Sequence, residues 1–295
     1  MQGDENSLDF SLPDGRVATF SCVDSKIINE GTRFVITAGG FCSAKEAFSF
    51  GVQVKESVLC FGAKFRMGID VGKDKATSFL GKVIKDEILK SHGVRVIDDV
   101  HGISVYDEEY PVSCGSASGI VLFCSRKADF FLDELSKLIA APKTINEKTK
   151  LAMELLTSSY FETSPRSRFL TLILAAEALL EPEDRHEKIK SLVDELKTLT
   201  RASELSEEDK SSIIGTINWL YKDSISKSLT KMANAHLQGK QYDNLEASKF
   251  ISKCYEARSK LVHTGSVEES RYSIGSLAAN LEVYLMDMLT KIGKL

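Results

Sequence analysis

Apolar periodicity changes near residue 143, and that break restricts the folds open to this chain. Upstream, β-branched and aromatic runs such as "GRVATFSCV" and "RFVITAGGF" alternate with helical patterns, and glycines and Pro13 punctuate them. Downstream, one 3.6-residue pattern follows another with no convincing strand: "NEKTKLAMELLTSSYF", "PRSRFLTLILAAEALL", "DRHEKIKSLVDELKTLT", "SEEDKSSIIGTINWLYK", "SISKSLTKMANAH", "NLEASKFISKCYEARSKLVH" and "SRYSIGSLAANLEVYLMDMLTKIG". At 295 residues the chain exceeds what one core usually serves. The expected fold is therefore an α+β domain over 1–143 followed by an all-α helical bundle over 144–295. Ser206 before Glu208 and Asp209, Pro165 after Ser164, and Asn244 before Leu245 supply the helix starts.

In the first half, "SAKEAFSFGVQVKESVLCFGAKF", "ATSFLGKVIKDEILKSHG" and "KADFFLDELSKLIAAP" are expected helices. "VRVIDDVHGISVY" and "SGIVLFC" are expected strands, and Pro142 marks the seam.

Hydrophobic residues at 43% and charged residues at 27% exclude a disordered or fibrous chain. A net charge of −4 gives no global attraction to nucleic acid, although a local basic groove can coexist with it. No apolar run approaches the roughly 18 residues of a membrane span, and the acidic start "MQGDENSLDF" is unlike a signal peptide, so the expected location is cytoplasmic, with no membrane partner. Cys22, Cys42, Cys60, Cys114, Cys124 and Cys254 are scattered without zinc spacing, which predicts free, mostly buried thiols.

The first half offers two weak candidates for chemistry. "GIDVGKDK" (68–75) resembles a phosphate loop only loosely: three residues separate Gly68 from Gly72, and Asp74 follows Lys73 where a hydroxyl residue is needed. Asp98, Asp99, His101, Asp107, Glu108 and Glu109 crowd around one strand, but strand-end acids are more often solvated than ligating. No metal site or cofactor is expected.

The second half contains a sharper anomaly. In Leu245–His263 the apolar positions Ala247, Ile251, Cys254, Leu261 and Val262 define a stripe, and Arg258 falls on it. A guanidinium cannot shed its charge, so burying it demands an anionic partner. Glu177, the one charge inside "LTLILAAEALL", is the evident candidate for an internal ion pair. His263 follows Arg258 by five positions, about 140° around the helix and about 7.5 Å along it. Two antiparallel copies of the helix across a two-fold axis would gather two arginines and two histidines in one cleft.

"YEARSKLVHTG" resembles the R-x-x-x-x-H signature of the HEPN superfamily (higher eukaryotes and prokaryotes nucleotide-binding), specifically its Apea-like group. "SRFLTLILAAEALL" is similar to that group's earlier helix, in which an arginine precedes an apolar run ending in Glu-Ala-Leu. The resemblance covers roughly 145–295. It implies a metal-independent endoribonuclease working as a homodimer, often a toxin or anti-phage effector, with RNA as substrate. Arg258 and His263 take the catalytic positions; Ser259 stands where relatives commonly carry Asn, Asp or His. Glu177 is expected to orient Arg258. The first half would recognise a protein or phage trigger, restrain the nuclease or recruit a partner. The alternative is a non-catalytic HEPN adaptor that binds nucleotide or protein.

Arg166 and Arg168, at the start of the "FLTLILAAEALL" helix, are candidates for holding an RNA backbone or are solubilising charges. His186 and His236 are expected at the surface. Trp219 and Tyr221 are expected in a core or interface. Leu277, Leu281, Tyr284, Leu285 and Met288 form one apolar face, open to bundle packing or a dimer seam.

Overall fold

The computed structural model describes residues 6–25, 27–78, 82–97, 99–106, 112–114, 128–141, 145–267 and 273–293. It divides into two compact units, with the boundary between Thr163 and Ser164.

The first unit opens with an antiparallel sheet of β1 (Ser7–Ser11), β2 (Val17–Cys22) and β3 (Phe34–Ala38) in that spatial order. Period-2 alternation buries Phe10, Ala18, Phe20 and Cys22 and leaves Val17 outside. The buried face packs with α1 (Ala44–Phe65) and α3 (Ala128–Ala140), where Phe61, Phe131, Leu135 and Ile139 close the core. Phe20 and Phe61 both meet the Phe131 ring, at centroid distances of 5.2 and 4.8 Å. Helix α1 begins where Ser43 Oγ accepts the Glu46 amide and ends at Arg66 in the left-handed region, φ 56°.

Between α1 and α3 lie short elements: β4 (Lys75–Ser78), α2 (Lys82–His92), β5 (Arg95–Ile97), β6 (Asp99–His101) and β7 (Val112–Cys114). β4 pairs antiparallel with β6, and β5 pairs parallel with β7. The expected helix over 76–93 is thus shortened at its start, because Lys75–Ser78 pairs as a strand with β6. "SGIVLFC" lies outside the described residues.

Helix α4 (Glu147–Ser158) belongs to this first unit and packs on α1. Its buried Thr149, Ala152, Met153, Leu156 and Thr157 form the face involved. The division therefore falls about one helix later than the composition break at 143/144, since a helical pattern does not disclose which core the helix joins.

The second unit contains α5 (Pro165–Ala178), α6 (Glu187–Ala202), α7 (Glu207–Asn218), α8 (Ile225–His236), α9 (Ala247–Thr264) and α10 (Ile274–Lys291). Helix α5 packs mainly on α10, and α8 on α9. Leu277, Leu281, Tyr284, Leu285 and Met288 are buried in this packing, so the face left open between bundle core and dimer seam is bundle core. An α+β sheet-bearing region followed by a helical region is therefore observed.

One small exception interrupts the helices. β8 (Gln241–Tyr242) and β9 (Leu245–Glu246) form a hairpin whose turn residues, Asp243 and Asn244, both have positive φ (50° and 59°). Asn244 thus serves a two-residue turn rather than the helix start expected for it. Trp219 is 81% exposed in a single 3-10 turn after α7, which excludes the core, one of the two placements expected for it. His186 and His236 are exposed as expected, with His186 Nδ1 accepting the Lys188 amide at 3.2 Å.

Candidate functional site

Glu177 lies near the end of α5 and Arg258 in the fourth turn of α9, two helices that pack together. Arg258 Nε sits 3.5 Å from Glu177 Oε1, with the side chains 26% and 15% exposed. The charge expected on the apolar stripe of α9 and the one charge inside "LTLILAAEALL" do meet. That Oε1 has no hydrogen-bond partner, so the attraction is electrostatic. Burial pushes the Glu177 carboxyl up from its ordinary pKa, and the positive charge of Arg258 offsets only part of this.

On its other side the Arg258 guanidinium lies over the Tyr255 ring, 5.9 Å from the centroid. At about 100° per residue, Tyr255 and Val262 stand roughly 60° and 40° around α9 from Arg258, Ser259 about 100° and His263 about 140°. Cys254, Leu261, Phe250 and Ala257 fall about 40–100° the opposite way and are buried. Arg258 therefore marks the edge of the core stripe. Val262 is 54% exposed and belongs to the outer strip, a correction to its expected place on the apolar stripe.

His263 is exposed in the last turn of α9. Gly265 ends the helix at φ 73°, and its amide bonds to Leu261 O at 3.1 Å. A side chain at 265 would be strained, so glycine sets the helix end two residues beyond His263. Ser259 is half-buried between the two.

Arg166 and Arg168 separate. Arg166 is exposed in the first turn of α5, beyond the Ser164 cap. Arg168 instead pairs with Glu282 of α10, a carboxylate only 9% exposed. Its guanidinium is committed to the fold, and sequence reading missed this because Glu282 is 114 positions away.

The first unit's candidates are explained structurally. Lys55 Nζ donates to Gly72 O and to both Asp74 oxygens at 2.9 Å, and Asp74 Oδ1 accepts the Ile103 amide at 2.8 Å. The 68–75 loop turns a carbonyl and a carboxylate onto α1, the reverse of a phosphate cradle. Asp98, Asp107, Glu108 and Glu109 lie outside the described residues. His101 Nε2 lies 3.0 Å from Asp70 O. Among the described residues no group of three His, Cys, Asp or Glu converges to hold a metal ion, and no helix is long and apolar enough to cross a membrane. Of the cysteines, Cys22 and Cys254 are free and buried, Cys60 is buried, and Cys42 is free and exposed.

No family model, curated protein or solved structure matches this chain.

Proposed function

We propose that the helical half is a metal-independent endoribonuclease of HEPN type, acting in the cytoplasm as a homodimer. The observation that carries this reading is Arg258, a cation at the edge of an apolar core, 3.5 Å from Glu177, lying over the Tyr255 ring and 26% exposed. Supporting it, His263 stands exposed in the last turn of the same helix.

In the proposed reaction His263 acts as base, taking the proton of a ribose 2′-hydroxyl. The 2′-oxygen forms a bond to phosphorus and the bond to the 5′-oxygen breaks. A protonated His263, from the same or the second copy, returns a proton to that leaving oxygen. The products are a 2′,3′-cyclic phosphate and a 5′-hydroxyl. Arg258 spreads donors over the phosphate as charge grows on it. Glu177 is a positioning residue for Arg258. Leu174, 44% exposed one turn from Glu177, and Val262, 54% exposed one turn from Arg258, leave an apolar rim that suits a second copy.

We place the protein among toxins or anti-phage effectors, with the first unit sensing a protein or phage trigger. Incubation of purified wild-type, Arg258→Ala and His263→Ala proteins with total RNA and EDTA tests the chemistry.

The Arg258–Glu177 pair also favours a second reading, a non-catalytic adaptor in which the pair only stabilises the bundle. In that case Arg258→Ala lowers the melting temperature, His263→Ala does not, and no RNA is cut.

A further inference from the structure

We infer that Tyr255 is a stacking platform for an unpaired nucleobase beside the phosphate gripped by Arg258. The inference rests on the ribonuclease reading and names the substrate as single-stranded RNA.

Tyr255 lies one turn before Arg258, and the guanidinium already covers part of its ring. The ring is half-buried, as is Ser259, and Val262 and His263 farther along the helix are exposed. A phosphate on the Arg258 fork has a nucleotide on each side: the ribose whose 2′-hydroxyl meets His263 extends toward the C-terminal end of α9, and the other nucleotide extends the opposite way along the helix, toward Tyr255 one turn before Arg258. The base of that second nucleotide then meets an aromatic face already flanked by a cation. Stacking on such a face tolerates any base and requires it to be unpaired. The Tyr255 hydroxyl plays no part, so phenylalanine should serve as well.

The test is binding, measured by fluorescence anisotropy with two 2′-O-methyl decamers that cannot be cleaved. One carries uracil at each position and the other is abasic throughout. Wild-type protein should prefer the base-bearing decamer by roughly 5- to 100-fold. Tyr255→Phe should keep that preference and Tyr255→Leu should lose it to within about two-fold, while Arg258→Ala weakens both decamers alike. Because the readout is a ratio, a displaced Arg258 in Tyr255→Leu cancels, and a melting curve of that variant confirms its fold. A Tyr255→Leu protein that still prefers the base-bearing decamer, or a wild type with no preference, overturns the inference. Cleavage of unmodified RNA lost in His263→Ala is read separately. Base-dependent binding without cleavage would sink the ribonuclease reading and leave the platform standing.

Discussion

Arg258 Nε lies 3.5 Å from Glu177 Oε1, tying α9 to α5 through a pair whose carboxylate is 15% exposed and whose guanidinium is 26% exposed. The pair is half-buried, and its two members should respond differently to substitution.

Removing the carboxylate with Glu177→Ala strands Arg258 at the edge of the core. Fully buried pairs cost roughly 3–5 kcal/mol when one partner is lost, and the exposure of Arg258 reduces this to about 1–2 kcal/mol. Urea unfolding at pH 7 measures the difference.

Glu177→Gln keeps the shape, and its effect depends on pH. The folded-state pKa of Glu177 is raised above the ordinary 4.5, so the folded protein binds this proton more tightly than the unfolded chain. That contribution favours folding below the unfolded value and is lost as pH rises through the folded one. Stability of Glu177→Gln relative to wild type should therefore improve as pH rises from 4 to 7. Paired melting curves across that range report it.

Arg168 and Arg166 give a sharper separation. Arg168→Ala removes a charged partner from the buried Glu282 and should cost about 2 kcal/mol, whereas Arg166→Ala should leave stability within about 0.5 kcal/mol. If Arg166 touches RNA, its loss should weaken binding in a salt-dependent way.

In the first unit, the Asp24 carboxylate is set by two opposed effects. Desolvation raises its pKa, but bonds from the Thr32 hydroxyl, the Cys22 thiol and the Arg33 and Thr32 amides outweigh it and hold it at about 2 against an ordinary 3.8. Its stabilisation is thus complete above the unfolded value and lost as pH falls through the folded one. Asp24→Asn should be less stable than wild type at neutral pH, and the gap should close between about pH 4 and pH 2. Acid titration of both proteins followed by circular dichroism shows whether it does.

Residues carrying their own local signal were legible in the sequence. Arg258 was the one charge on the apolar stripe of its helix and Glu177 the one charge inside "LTLILAAEALL", and burial cost alone made them partners. Ser206 and Ser164 announced their helices, and both caps form. What escaped notice depends on distant chain. Arg168 looked like a surface charge until α10 brought Glu282 to it. Ala76–Ser78 opened a helical pattern and became part of a strand through pairing with β6. Asn244 could begin a helix or turn a hairpin, and Asp243, also in the left-handed region, decided for the turn. Tyr255 carried no signal of its own, because its contact with Arg258 follows only once α9 is drawn as a helix with a known buried side.

The central claim is that Arg258 and His263 cleave RNA without metal. Wild-type, Arg258→Lys, Arg258→Ala and His263→Ala proteins should be incubated with RNA and EDTA, and the product ends identified. The account predicts 2′,3′-cyclic phosphate and 5′-hydroxyl ends from wild type, no cleavage by His263→Ala or Arg258→Ala, and at least a ten-fold loss in Arg258→Lys, which keeps the charge but not the fork. Undiminished cleavage by His263→Ala and Arg258→Ala, or wild-type activity abolished by EDTA, would contradict it.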